Sequence, residues 1–129
     1  MMANAEVGTR TFAATTTGYI VNDDGTLLTP KRAVISASSS GVSSLVAAVT
    51  GKKIRVLSLV LMAAGAVNVK FQSHTTPTDL TGLFPLAANG GFSIGFSPLG
   101  HFETVAGEQL DINLSGAVAV GGCLTYVEI

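Results

Sequence analysis

The stretch Leu110-Asp111-Ile112-Asn113-Leu114 decides the fold class. Its apolar residues occupy every second position, with an acid and an amide between them. Successive side chains of a β-strand point to opposite faces, so this alternation predicts a strand with one face in a core and the other towards solvent. Turn signals bracket it, at Ala106-Gly107-Glu108 and at Ser115-Gly116.

Two segments upstream alternate in the same way. One contains Val67, Val69 and Phe71, and the other follows the turn signal Asn89-Gly90-Gly91. We expect the apolar residues of all three segments to point into one core. These residues are Val67, Val69, Phe71, Phe92, Ile94, Phe96, Leu110, Ile112 and Leu114.

Turn signals recur every 8–12 residues or so, which is typical of a β-sandwich or barrel. The chain is therefore predicted to be all-β, with residues 31–129 forming a sandwich of jelly-roll type with about eight strands. Residues 33–37 and 42–49 are strand candidates, although residues 45–49 could instead form a helical turn. The final strand is predicted over residues 118–129.

Two irregularities are expected within the sandwich. The run from Leu57 to Met62 loses the alternation shown by Ile54 and Val56, which a β-bulge or burial on both faces would explain. The pair Gly121-Gly122 predicts a second bulge, in the final strand.

Residues 1–30 differ from the rest of the chain. Their apolar residues are too many for a solvated tail and too irregularly spaced for a regular strand. Two interpretations remain open: an extended N-terminal arm that lies on a partner, or a first strand of the same sandwich. In the first, the residues expected to contact that partner or a neighbouring subunit are Arg10, Phe12, Tyr19, Ile20, Leu27, Leu28, Lys31 and Arg32.

Composition narrows the classes of function. The chain has 129 residues, of which 12% are charged, and a net charge of −1. Proteins that bind nucleic acids normally contain more basic than acidic residues, so no nucleic-acid partner is expected. All seven Lys and Arg residues lie within the first 70 positions, which either hints at complementary surfaces or arises by chance. The low charge favours a surface that is rich in Ser, Thr and Asn, or one that other subunits cover.

No membrane span and no targeting segment is predicted. The single cysteine, Cys123, excludes an internal disulfide and a thiolate metal cluster, and we expect it to be buried.

Catalytic and metal-binding motifs are incomplete. His101 and Glu103 would share a strand face, but two ligands fall short of a zinc site. The Asn22-Asp23-Asp24-Gly25 turn lacks the spaced ligands of a calcium loop. Ser97 lies in a sequence that fails the G-x-S-x-G pattern at its last position. We therefore expect no enzymatic activity, no cofactor and no metal.

From Val49 onward, about 80 residues resemble small structural proteins of tailed bacteriophages, in particular the jelly-roll decoration, or cement, proteins of phage heads. The first 48 residues take no part in the resemblance. The segments that carry it are Val49-Thr50-Gly51-Lys52-Lys53-Ile54-Arg55-Val56-Leu57-Ser58, Leu80-Thr81-Gly82, Pro85-Leu86-Ala87-Ala88-Asn89-Gly90-Gly91, Gly100-His101-Phe102-Glu103-Thr104, Gly107-Glu108-Gln109-Leu110 and Val120-Gly121-Gly122-Cys123-Leu124-Thr125-Tyr126.

The resemblance implies a non-enzymatic virion protein, made in the bacterial host cytoplasm, that binds the major capsid protein on the outer surface of the head and bridges capsomers. It also implies a homo-oligomer, with a trimer favoured and a dimer possible, and no membrane partner. The alternative is a receptor- or glycan-binding β-sandwich of a phage tail or baseplate, which should display aromatic residues on its loops.

Overall fold

A computed structural model describes residues 25–75 and 77–129. Within these residues the chain is all-β, with ten strands and no helix. The strands are β1 (Lys31–Ala37), β2 (Gly41–Val46), β3 (Ile54–Ala63), β4 (Val67–Ser73), β5 (Thr78–Asp79), β6 (Phe84–Leu86), β7 (Gly91–Ile94), β8 (Phe102–Glu103), β9 (Leu110–Leu114) and β10 (Val120–Glu128).

The strands form two antiparallel sheets packed as a β-sandwich, which confirms the predicted fold class. One sheet, here called the β3 sheet, has the order β1-β10-β3-β7, and β8 also pairs with β3. The other, the β4 sheet, has the order β2-β9-β4-β5, and β6 also pairs with β4. In each sheet two short strands share the fourth position, which is why ten strands are present where about eight were predicted.

The core lies between the two sheets, and most of the residues expected there are buried. Phe92 and Ile94 are half-buried against this core. The prediction for Phe96 is wrong, since it is 48% exposed. Strand β7 ends at Ile94, so Phe96 lies in the following loop, where strand alternation no longer fixes its direction. The fully confirmed positions are Val67, Val69, Phe71, Leu110, Ile112 and Leu114.

The bulge predicted near Leu57 is present. Thr125 of β10 pairs with Ser58 and Tyr126 with Val56, so Leu57 is an extra residue in β3. The extra residue shifts the inward positions of β3 from even to odd numbers, which explains the lost alternation. The bulge predicted at Gly121-Gly122 is wrong, because both glycines pair in regular register with β1 and β3.

Two strand boundaries also differ from the prediction. Strand β2 ends at Val46 and no helical turn follows it, because the 47–52 segment forms a turn that leads into β3. The final strand begins at Val120 rather than Val118. Residues 115–119 reverse the chain instead, and Val118 N donates a hydrogen bond to Gly116 O at 2.9 Å.

Candidate interaction surfaces

The β3 sheet presents an uncharged surface on the side away from the core. The alternation that buries Ile35 and Leu61 turns Val34, Val60 and Met62 outward, where they are 74%, 44% and 60% exposed. We call this surface the uncharged face, and its residues are Val34, Ser36, Val60, Met62, Gly91, Ser93, Gly121 and Cys123.

Strand register places these residues in two rows. One row runs Val34, Cys123, Val60, Ser93 across four strands, and the next runs Ser36, Gly121, Met62, Gly91. The prediction that Cys123 is buried is wrong, because its position in β10 points outward and its side chain is exposed.

Two shallow depressions adjoin on the uncharged face. One has a volume of about 540 Å³ and lies between Val60, Met62 and Ser93. The other, of about 490 Å³, extends towards Ala64, and both include Met62 and Gly121 in their walls. Exposed apolar side chains that share one face can mark an interaction site, so this face, with Val34, Val60 and Met62, is the strongest candidate for an interaction surface among the described residues.

Two glycines in the strands beside β3 lie where a side chain would collide with the backbone of β3. A Cβ atom at Gly122 would overlap the carbonyl oxygen of Val60, and one at Gly91 would overlap that of Leu61. Both obstacles are backbone atoms, which cannot rotate away. The two positions therefore require glycine.

The same side of the β3 sheet carries a small separate apolar cluster beyond the uncharged face. Leu57 and Val127 are fully buried there, although they point away from the main core. Leu28 and Ile129 cover them. Leu28 therefore lies on the outer side of the β3 sheet of its own chain.

The predicted partner-binding residues fall into two groups. Arg10, Phe12, Tyr19 and Ile20 lie outside the described residues. Among the others, Leu27 and Arg32 are exposed, and Leu28 packs within its own domain. Lys31 Nζ forms an ion pair with Glu128 Oε1 of the same chain at 3.1 Å. Binding of these residues to a partner stays a prediction.

The outer side of the β4 sheet is polar. Asn113 Nδ2 donates to Gln72 Oε1 at 3.1 Å, and Gln72 Nε2 donates to Asp79 Oδ1 at 2.8 Å. Lys70 Nζ pairs with Asp79 Oδ1 at 3.1 Å. These side chains satisfy one another across the strands, so this face needs no partner to compensate its polar groups.

A histidine–carboxylate pair lies at the end of this polar face. His74 Nδ1 is 2.5 Å from Asp111 Oδ2, and Gln109 Nε2 donates to Asp111 Oδ1 at 2.8 Å. Asp111 is buried, whereas the His74 side chain is half exposed. Sequence reasoning missed this pair, because the two residues are 37 positions apart and meet only through the pairing of β4 with β9.

His101 and Glu103 do not form a shared site. His101 Nε2 donates to Gly95 O at 2.7 Å, which fixes a turn. Glu103 instead accepts hydrogen bonds from Arg55 Nε at 2.8 Å and from Lys53 Nζ at 3.3 Å. Ser97 Oγ accepts a hydrogen bond from Leu99 N at 3.3 Å and lies in the same turn region.

The electrostatics of Glu103 combine two opposing effects. Partial burial acts to raise the pKa of its carboxyl, but hydrogen bonds from Arg55 and Lys53, together with their positive charges, outweigh burial and hold the pKa below its ordinary value. The carboxyl of Asp79 also has a lowered pKa, owing to hydrogen bonds from Gln72 and Lys70.

The lowered pKa of Glu103 predicts a pH-dependent contribution to stability. Ionised Glu103 stabilises the fold above its ordinary carboxyl pKa, and this stabilisation is lost as the pH falls through the lower pKa of the folded state. We expect the difference in free energy of unfolding between the natural chain and Glu103→Gln to shrink as the pH is lowered from about 6 to about 3. This difference in free energy of unfolding can be measured by urea unfolding followed by circular dichroism. A difference that does not change with pH would contradict the prediction.

Within the described part of the chain, no group of three or more His, Cys, Asp or Glu side chains is placed to hold a metal ion. The same residues contain no helix long and apolar enough to cross a membrane. No protein-family model matches the chain, and no curated protein matches it at a significant level.

Proposed function

We propose that this chain is a non-enzymatic structural protein of a bacteriophage virion. It decorates the outer surface of the head, contacts the major capsid protein and bridges neighbouring capsomers. The proposal includes self-association, with a trimer favoured over a dimer, and needs no cofactor, nucleic acid or membrane. The order of the strands is the observation that carries it.

The strand order supports a jelly roll. Counting β5 with β6 and β7 with β8 as one strand each gives eight strands, in the orders 1-8-3-6 and 2-7-4-5. Successive strands 1 and 2, 3 and 4, 5 and 6, and 7 and 8 then lie in opposite sheets. Double-sheet jelly rolls with eight strands are a recurrent architecture of viral capsid domains, and the sequence resemblance to phage decoration proteins agrees with this assignment.

One observation favours the alternative, a glycan- or receptor-binding module of a phage tail. Lectin domains also use the jelly roll, and they hold sugars with exposed aromatic rings. Phe96 is half exposed, and Leu99, in the same loop between β7 and β8, is 82% exposed. A single phenylalanine is a small platform, so we rank this function second.

Location on the virion tests the proposal. Gold-labelled antibody against this chain is expected to mark the heads of virions of the phage that encodes it, when they are viewed by negative-stain electron microscopy. Label confined to tail tips would support the glycan- or receptor-binding alternative and overturn the decoration function. Virions without label would overturn both.

Binding to heads can be measured with heads that lack this protein. The full chain is expected to co-sediment with them, and Phe12→Ser combined with Leu27→Ser is expected to weaken binding at least about tenfold, since buried apolar anchors dominate most interfaces. Leu99→Ser is the matched control, because it removes an exposed apolar side chain from a loop with no predicted capsid contact. Unchanged binding by the Phe12 and Leu27 variant would contradict the role of the arm.

A further inference from the structure

We propose that two copies of this chain pair along strand β1, antiparallel and about a two-fold axis, so that Val34 of one copy lies opposite Val34 of the other. The β3 sheets of the two copies then form one continuous sheet. The proposal concerns the isolated chain and does not depend on a place in a virion. It makes the assembly a dimer, the less favoured of the two assemblies included in the proposed function.

Strand β1 leaves one side of its backbone without a neighbouring strand. It lies at the end of the β3 sheet, and no other strand of the described chain pairs with its free side. Every second residue of an edge strand turns its N–H and C=O away from the sheet, where a further strand can pair with them. An extended strand is therefore the kind of partner that fits this edge.

Most of β1 lacks the usual protection of an edge strand. Natural edges are blocked by charged side chains, by proline or by bulges. The charges of β1 are Lys31 and Arg32 at its start, and residues 33–51 contain none. The strand contains no proline and pairs with β10 without a shift in register. At its centre Val34 is 74% exposed, although a β-branched side chain is well suited to packing against a neighbouring strand.

The register follows from the length and the charges of β1. When two copies pair antiparallel, all seven residues gain a partner only if Val34 faces Val34. Arg32 then lies opposite Ser36, and Lys31 lies opposite Ala37, so no like charges meet. Registers centred on Lys31 or Arg32 instead place like charges directly opposite each other, which is unfavourable. The strand is therefore complementary to a second copy of itself in one central register.

The same pairing joins the uncharged faces of the two copies. A two-fold axis normal to the sheet reverses the direction of a strand and keeps its outward side chains on the same side. The row Val60, Cys123, Val34 therefore continues into the same three residues of the second copy, in reverse order. The two Cys123 residues lie three strand spacings apart, roughly 14 Å, which is too far for a disulfide. The dimer of the natural chain is therefore not covalent.

Strand β2 can extend the contact to the other sheet. It is the end strand of the β4 sheet, contains no charged residue, and contacts β1 on the same side of the sandwich. Because the two sheets pack face to face, an axis normal to one is roughly normal to the other and brings β2 towards β2 of the second copy. A shift in register between Ser44 and Val46 interrupts this strand, so we expect β1 to provide most of the pairing.

The size of this edge predicts a weak dimer. The seven residues of β1 span roughly 23 Å, and two stacked sheets with their side chains are roughly 20 Å thick, judged from strand rise and sheet spacing. The edges of two copies would therefore bury roughly 900 Å², below the roughly 1,200 Å² at the lower end of stable interfaces. Main-chain hydrogen bonds between the two β1 strands add to this contact. We therefore expect a dimer that forms at high concentration and dissociates on dilution.

Disulfide formation at position 34 tests the register directly. Opposite residues of an antiparallel pair have Cβ atoms roughly 4.5–5.5 Å apart, close to the distance that a disulfide needs. In the full chain with Cys123→Ser, we expect Val34→Cys to form cross-linked dimers under mild oxidation at about 100 µM, at least about tenfold faster than Leu99→Cys in the same background. Leu99 is the matched control, because it is similarly exposed but lies in the loop between β7 and β8.

A mixture of two variants checks the register away from the axis. In the same Cys123→Ser background, Arg32→Cys and Ser36→Cys are each expected to cross-link slowly when alone, because neither residue faces itself. Mixed in equal amounts, the two variants are expected to form a disulfide between positions 32 and 36 at a rate that approaches that of Val34→Cys.

Light scattering measures the dimer of the natural full chain. We expect its mass to rise from that of one chain towards that of two as the concentration is raised to about 100 µM. Val34→Lys places like charges opposite each other at the axis and is expected to raise the dissociation constant at least about tenfold. Leu99→Lys adds the same charge elsewhere and is expected to leave the dissociation constant unchanged. Both positions are exposed, and circular dichroism verifies that the variants fold.

Several results would overturn the proposal. A monomer at every concentration, or a trimer, would exclude pairing of two copies through β1. Equal cross-linking at positions 34 and 99, or a dimer that Val34→Lys leaves unchanged, would assign the contact to another surface. Cross-linking of Ser36→Cys alone as fast as that of Val34→Cys would reject the central register. Gold labelling of virions reports separately on the decoration function, so the two hypotheses fail independently.

Discussion

Replacement of Gly122 by alanine is expected to lower the free energy of unfolding by at least about 3 kcal/mol, near or above the usual upper range for overpacking. The added Cβ atom would overlap the carbonyl oxygen of Val60, and its next contacts are further backbone atoms of β3. Relief therefore requires the central pair of the sheet, β10 and β3, to move apart. This pair holds the β3 sheet together, so the loss extends beyond one site.

Gly121→Ala is the matched control for this experiment. The two glycines are neighbours in β10, but a Cβ atom at Gly121 would meet only Ile35 O, at an ordinary 3.9 Å. Its effect should stay within about 0.5 kcal/mol, as for most exposed positions. The chain has no tryptophan, so urea unfolding is best followed by far-UV circular dichroism. Equal stability of the two variants would contradict the collision expected between a side chain at position 122 and the backbone of β3.

Phe71→Ala is expected to cost about 3–5 kcal/mol, the range for removing a large aromatic side chain from a core. Phe71 is completely buried and connects the two sheets. Its ring centroid is 5.3 Å from that of Phe102 in β8 and 6.4 Å from that of Phe84 in β6. Alanine would leave a cavity between the sheets and remove both ring contacts.

Leu99→Ala controls for the general effect of shortening an apolar side chain. Leu99 is among the most exposed large apolar residues of the described chain, so its truncation should change stability by no more than about 0.5 kcal/mol. The same urea titration measures both variants. A loss of less than about 1 kcal/mol for Phe71→Ala would mean that the sheets do not pack through this residue.

Strands in which apolar and polar residues alternate strictly can be predicted from the sequence. The direction of a side chain cannot be predicted in this way where the local geometry departs from a regular strand. Residues 110–114 alternate strictly, and all their apolar side chains are buried. At Phe96 the same extrapolation fails, because the strand has already ended and a loop sets the direction of the side chain. Leu57 shows that lost alternation is itself informative, since it marks the extra residue of a bulge.

The candidate surface is less visible in the sequence than the core. The uncharged face combines residues from β1, β3, β7 and β10, and only the register of four strands shows that Val34, Val60 and Cys123 share a row. The pair of His74 and Asp111 is hidden for the same reason. Sequence patterns describe neighbours along a strand, whereas a surface on a sheet consists of neighbours across strands.

The divided fourth strand of each sheet also affects how the sandwich can aggregate. At that border β7 and β8 have four and two residues, and β5 and β6 have two and three, so a foreign strand finds only short, interrupted rows of backbone donors and acceptors. The opposite border of the β3 sheet is the seven-residue strand β1, which offers a longer row. Fibrous growth by edge pairing needs two usable borders on every molecule. The β4 sheet also ends in a longer strand, the six-residue β2, so each molecule offers one such border in each sheet. Pairing through β1 alone therefore closes after two molecules, and fibrous growth would have to use β1 and β2 in turn.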